Sequence, residues 1–167
     1  ASSMSAVELI NTLNEIFAAF DDIVETCDCE RVKTIGDAYL AVGGSPTPGR
    51  ESAVNLIRAA AEIHRFIRER NARADGTGGR RRWEIRIGIH TGDVVAGIVG
   101  RKKYLYDIFG DSVNMASRIQ ESCAPMRIGV SPTTVRLVEG AFAFEMRNPV
   151  MLKGKGSTPL YYLESAG

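Results

Sequence analysis

Between Tyr104 and Arg118 the chain reads YLYDIFGDSVNMASR, and this passage from a short strand-like run, through a glycine, into helical periodicity constrains the fold more than any other stretch. Asp111 or Ser112 can cap the helix, and Val113, Met115, Ala116 and Ile119 give it apolar sides. Asn114 and Arg118 then stand at i and i+4 on one face. A planar amide beside a guanidinium can orient a ribose and cradle a charged phosphoryl group. Spacing alone favours the plainer reading, a solvated polar stripe.

Helices and hairpins surround that unit. Ser5 and Glu8 have capping-box spacing, and Leu9, Leu13, Ile16, Phe17, Phe20, Ile23 and Val24 recur at helical period, so a helix with one core face is expected to about Cys27. The runs Arg31 to Ile35 and Ala38 to Val42 flank Gly36-Asp37, a two-residue link that suits a type II′ hairpin with Asp37 at its tip. Gly43 to Arg50 reads as a connector, and 51–72 as a second amphipathic helix built on Leu56, Ala60, Ile63 and Ile67. A loop over Ala74 to Gly79 and a solvated run Arg80-Arg81-Arg82 follow. Trp83, Ile85, Ile87 and Ile89 alternate with Glu84, Arg86, Gly88 and His90, which predicts a strand, and Thr91-Gly92-Asp93 turns it back into Val94 to Val99 as a second hairpin.

After the central helix, Met126, Ile128 and Val130 alternate as a strand, and Ser131-Pro132 opens a short helix to about Val138. Phe142 to Met146, Val150 to Leu152 and Pro159 to Leu163 read as strands, with a Lys153 to Gly156 loop among them. This order argues for one α+β domain over residues 1–167, with helices on one side of a sheet.

Composition narrows the partners. A formal charge of +1 gives no pull toward nucleic acid or anionic lipid, so any anion must be bound locally. Hydrophobic content of 44% and charged content of 25% are those of a soluble globular chain. Cys27, Cys29 and Cys123 are an odd set without zinc spacing, so free thiols in a reducing compartment are expected. No apolar run reaches membrane-spanning length. A cytoplasmic segment, with no direct membrane insertion of its own, is therefore expected, and it could equally be the cytosolic part of a membrane-anchored parent.

Four blocks in order, VKTIGDAYLAVGG at 32 to 44, IRIGIHTGDVVAGIVG at 85 to 100, YDIFGDSVNMASR at 106 to 118 and LKGKG at 152 to 156, resemble the signatures of the class III nucleotidyl cyclases. The resemblance implies a ferredoxin-like βαββαβ fold with a C-terminal extension. It implies an adenylate cyclase, in which the ribose 3′-oxygen of ATP attacks the α-phosphorus, cyclic AMP forms and pyrophosphate leaves, as a signalling reaction. It implies two ions of Mg²⁺ or Mn²⁺, with Asp37 as one carboxylate ligand. Arg86 and Lys153 would hold the β- and γ-phosphates, Lys155 being the second choice; Asn114 would position the ribose and Arg118 would stabilise the transition state. Lys33, which only donates hydrogen bonds, and Asp107, which only accepts them when ionised, would read the N1 acceptor and N6 donor of adenine. A plain salt bridge between Lys33 and Asp107 is the alternative reading. The family also implies a head-to-tail homodimer, with Asp37 and Arg86 of one chain facing Lys33, Asp107, Asn114, Arg118 and Lys153 of the other.

The chain departs from the family at its start, where a strand carrying the first metal-binding Asp has no counterpart here. The expectation is therefore a catalytic domain lacking its first strand, weakly active or inactive as it stands. The rival readings are a catalytically dead regulatory pseudocyclase and a guanylate cyclase, whose family pattern has Glu and Cys where Lys33 and Asp107 stand.

Overall fold

Ser5 opens the first helix by a reciprocal cap: its Oγ accepts from the Glu8 backbone N at 3.2 Å, and the Glu8 carboxylate accepts from the Ser5 N at 2.8 Å. The computed structural model describes residues 4–43, 49–76, 81–102 and 105–164. In chain order the elements are α1 (Ala6–Thr26), β1 (Glu30–Ile35), β2 (Ala38–Val42), α2 (Arg50–Gly76), β3 (Arg86–Ile89), β4 (Val95–Val99), β5 (Leu105–Phe109), α3 (Asp111–Ser122), β6 (Arg127–Val130), α4 (Pro132–Leu137), β7 (Phe144–Met146), β8 (Val150–Leu152), β9 (Gly156–Thr158) and β10 (Tyr161–Leu163). Among the described residues no helix is long and apolar enough to cross a membrane.

A four-stranded sheet, ordered β3-β6-β10-β7, is the frame. The pair β3 and β6 is parallel, and its register sets Gly88 opposite Gly129. Side chains alternate along a strand, so Ile87, Ile89, Ile128 and Val130 point to one face and the two glycines open the other. On the isoleucine face, Ile89, Ile128 and Val130 pack against Ala53, Ile57 and Ala60 of α2. Beyond them α1 packs on α2 through Ile16, Phe20, Val24, Ala59, Ile63 and Ile67. On the glycine face lies α3. A Cβ on Gly88 would stand 2.4 Å from both the Ala116 carbonyl and the Gln120 N, and one on Gly129 2.5 Å from the Cys123 Sγ, so only glycine lets the helix seat this closely.

This arrangement corrects several expectations. Helices cover both faces of the sheet, because the glycine pair receives α3 on the side away from α2. The second hairpin does not form as read: β3 pairs with β6, and β4 instead pairs antiparallel with β5. A parallel pair needs a crossover, and the β4–β5 hairpin together with α3 supplies it. The helix α2 continues to Gly76, into the start of the stretch expected as a loop, whose remainder lies outside the described residues. Its last turns are anchored by buried Ala74 and by Asn71, whose side chain donates to the Trp83 carbonyl at 2.8 Å and accepts from the Trp83 N at 2.9 Å. The core face of α1 begins only at Ile16, and Leu9 is exposed. No side chain caps α3: its N-cap is Gly110, at φ +140°, and Asp111 is the first helical residue. Most of the Gly43 to Arg50 connector, Arg80 and Tyr104 lie outside the described residues.

The β1–β2 hairpin is as read. Ile35 faces Ala38 across the two-residue link, with Gly36 at φ +58°. A further hairpin, β8–β9, closes over Lys153 to Lys155, where the sequence suggested only a loop.

Candidate functional site

The helix α3 is the axis of the site. Gly88 abuts Ala116 and Gln120 while Gly92 abuts Ser112, so β3 and its following turn run antiparallel to α3 beneath it. Met115, Ile119 and Cys123 are buried against Leu152 and Leu160. The opposite face of the helix presents Asn114, exposed, and Arg118, half-buried. These two side chains are therefore set by the packing of the turns that carry them.

The β8–β9 turn reaches the same helix. Leu152 is buried under α3, and a Cβ on Gly154 would lie 3.9 Å from each terminal nitrogen of the Arg118 guanidinium. Lys153 is exposed on this turn. Lys155 Nζ stands 2.6 Å from Asp111 Oδ2 at the start of α3. The Lys155 hydrogen bond, and the Lys155 and Arg118 charges behind it, hold the Asp111 carboxyl below its ordinary value.

Lys33 on β1 and Asp107 on β5 meet at 2.6 Å, Nζ to Oδ2. The other Asp107 oxygen accepts from the Ile108 N at 2.8 Å, so both carboxylate oxygens are engaged and the group is oriented. The Lys33 hydrogen bond is the main cause of a lowered Asp107 pKa. The salt bridge weighed as the plain alternative is thus present, and it leaves 38% of the Lys33 side chain accessible.

Asp37 is exposed at the tip of the β1–β2 hairpin. Arg86 is exposed at the start of β3, and its charge acts on Cys123, at the far end of α3 from Asp111. The chain therefore brings together Lys33 with Asp107, and Arg118 with the Lys153 turn, while no hydrogen bond or ion pair among the described residues ties Asp37 or Arg86 to either. Among the described residues no three His, Cys, Asp or Glu side chains gather in a group that could hold a metal ion. Asp37 is thus not part of any such cluster among the described residues.

Two features escaped the sequence reading. One is the Asp111–Lys155 ion pair, hidden because the partners are 44 residues apart. The other is a polar seam in which His90 Nδ1 lies 2.8 Å from the Ser131 Oγ, itself 3.1 Å from Thr134 Oγ1, which lies 2.8 Å from Thr91 Oγ1. Ser131 also caps α4, accepting from the Thr134 N. The three free cysteines are not poised as nucleophiles: burial raises each thiol pKa, that of Cys29 to about 11.

The family model described as the adenylate and guanylate cyclase catalytic domain matches residues 1–165. Guanylyl cyclase C of Cavia porcellus is 39% identical over 161 residues, which are 94% of this chain and 15% of that protein. The chain thus spans a small part of the length of the curated relatives it matches. The guanylate cyclase domain of RhGC from Catenaria anguillulae, solved in complex with GTP, superposes with a TM-score of 0.86 at 29% identity, over 99% of this chain and 88% of that one. The adenylyl cyclase CyaB from P. aeruginosa superposes with a TM-score of 0.91 over 99% of this chain and 86% of its own, a likeness of fold alone at 22% identity. The expected α+β cyclase fold is borne out.

Proposed function

The chain belongs to the adenylate and guanylate cyclase catalytic domain family, and from that premise we propose that residues 1–167 are one adenylate cyclase catalytic domain, closing ATP to cyclic AMP with release of pyrophosphate. The observation that carries the choice of base is the Lys33–Asp107 pair. A cation that donates and a carboxylate that accepts, side by side and partly accessible, match the N1 acceptor and N6 amino donor of adenine. The compartment that goes with this reading is the cytoplasm, where ATP is available.

In this reading Asn114 orients the ribose so that its 3′-oxygen lies in line with the α-phosphorus. Arg118 meets the charge that grows on the α-phosphoryl oxygens, and its fixed fork makes it worth more there than a point charge. Lys153 and Arg86 hold the β- and γ-phosphates. Asp37 is assigned as one carboxylate ligand for Mg²⁺ or Mn²⁺, which would need further donors beside it.

A site shared between two copies, each contributing one set, goes with this reading, since no contact among the described residues joins Asp37 or Arg86 to the other candidates. The β4–β5 hairpin is suited to that contact: Val95, Ile98 and Val99 are 69%, 71% and 50% exposed.

A second reading, a guanylate cyclase, is favoured by the names of the relatives, since guanylyl cyclase C is among the most similar proteins. Both are tested by measuring cyclic nucleotide formation and nucleotide binding with ATP and GTP, under Mn²⁺ and Mg²⁺. Preference for ATP is expected, with Lys33→Glu/Asp107→Cys moving the preference toward GTP by about tenfold or more. Preference for GTP in the unaltered chain overturns the adenine assignment. Tight binding without turnover selects the pseudocyclase.

A further inference from the structure

The two lysines of the β8–β9 turn are in different states. Lys155 is engaged with Asp111 at 2.6 Å, whereas Lys153 is exposed and makes no ion pair among the described residues. The turn itself is held at two points along α3. Leu152 is buried beneath the helix with Met115, Ile119 and Leu160. Lys155 reaches Asp111 at the helix start, and between them Gly154, at φ +76°, is near enough to Arg118 that a Cβ on it would lie 3.9 Å from the guanidinium. The Lys155 backbone N closes the turn on the Leu152 carbonyl at 3.0 Å.

A lysine already neutralised by a carboxylate brings no net charge to an anion. If it left to bind phosphate, the bare Asp111 carboxylate would face that same phosphate at close range, and the two would repel. The other charged or titratable groups acting on Asp111 are Arg118, on the same helix, and His90, from the turn after β3.

We infer that Lys155 is a positioning residue: its ion pair with Asp111 fixes the turn on α3 so that Lys153 and Arg118 converge on one triphosphate, and Lys155 itself does not touch the nucleotide. The inference rests on the cyclase reading above, and it deepens that reading by dividing the roles of the two lysines.

Calorimetric titration of the chain with a non-cyclisable ATP analogue and with AMP tests it, using Asp111→Asn, Lys155→Met and the double variant. Each single change is expected to weaken triphosphate binding about three- to fivefold, the range of an exposed ion pair, with AMP affinity unchanged. The double variant is expected to be no weaker than either single, because the two groups act as one. If Asp111→Asn binds the triphosphate as tightly as the unaltered chain or more so, while Lys155→Met binds it less, then Lys155 is a phosphate ligand and the inference falls. Equal losses for triphosphate and AMP would make the bridge merely structural, and also overturn it. A wild-type chain that binds neither nucleotide sinks the cyclase reading instead. The pairing is then read separately, from the ¹³C titration of the Asp111 carboxyl: a return to the ordinary range in Lys155→Met upholds the latch, and no change rejects it.

Discussion

The candidate residues stand on two different footings. Asn114 and Arg118 project from a helix seated on paired glycines of the four-stranded sheet, and Lys153 from a turn pinned to that helix. Lys33 and Asp107 instead join two separate two-stranded hairpins, β1–β2 and β4–β5, that lie outside this sheet. The first region is dense, with Ile119 and Leu160 fully buried, whereas the second leaves Ile98 71% exposed. Groups that must meet a transition state need fixed geometry, because a small misplacement is costly. Groups that read a base can ride on arms tied together by one ion pair.

The sharpest way to break this contrast is at Arg118. Arg118→Ala is expected to lower turnover about 10²- to 10³-fold, the usual loss when a preorganised charge stabiliser is removed. Its melting temperature should stay within about 1 °C, since surface-directed changes away from the core rarely cost more than ~0.5 kcal/mol. A large fall in melting temperature with unchanged turnover per folded molecule would move Arg118 from chemistry to structure.

Paired glycine substitutions compare the two regions directly. In Gly88→Ala the new Cβ would meet the Ala116 and Gln120 backbone at 2.4 Å, so α3 must lift from the sheet. We expect a loss of about 2–4 kcal/mol, at the upper end for single overpacking changes. In β4, a Cβ on Gly97 meets nothing within 4 Å. Gly97→Ala should therefore change stability by less than about 0.5 kcal/mol. Denaturant midpoints measure both, and equal costs would mean that the dense and open regions are not distinct.

The sequence made much of this visible and for physical reasons hid the rest. Local chemistry was legible. The Ser5–Glu8 cap, the Gly36 turn, the Pro-bearing start of α4 and the amphipathic stripes of α1 and α2 each depend on neighbours within a few residues. Strand partnership was not. Nothing near Thr91 tells β3 to leave β4 and pair with β6, because that choice is made by packing between Gly88 and α3 and by the register with Gly129. The motif blocks pointed to Lys33 and Asp107, and the 2.6 Å contact gives the pair its geometry. Asp111, read as a possible cap, turned out to be held by Lys155, a long-range contact that no local pattern carries.

Proton titration sharpens the comparison with the smallest effect. His90, at the seam between β3 and α4, is half-buried, and burial lowers its pKa from the ordinary 6.5, aided by Lys155 and opposed by Asp111. The unfolded chain therefore takes up the proton first as pH falls, so the stability held above about pH 6.5 is lost progressively below it. The Lys33–Asp107 pair behaves differently: Asp107 has a lowered pKa, so its contribution persists in mild acid and is lost only as pH falls through that lower value. Between about pH 7.5 and 5.5 the unaltered chain should lose about 2 °C more in melting temperature than His90→Gln, whose side chain is polar but cannot titrate in that range. Asp107→Asn should show the same fall as the unaltered chain over this interval. If Asp107→Asn rather than His90→Gln flattens the profile, the acid-sensitive joint lies between the hairpins and not in the seam of the sheet.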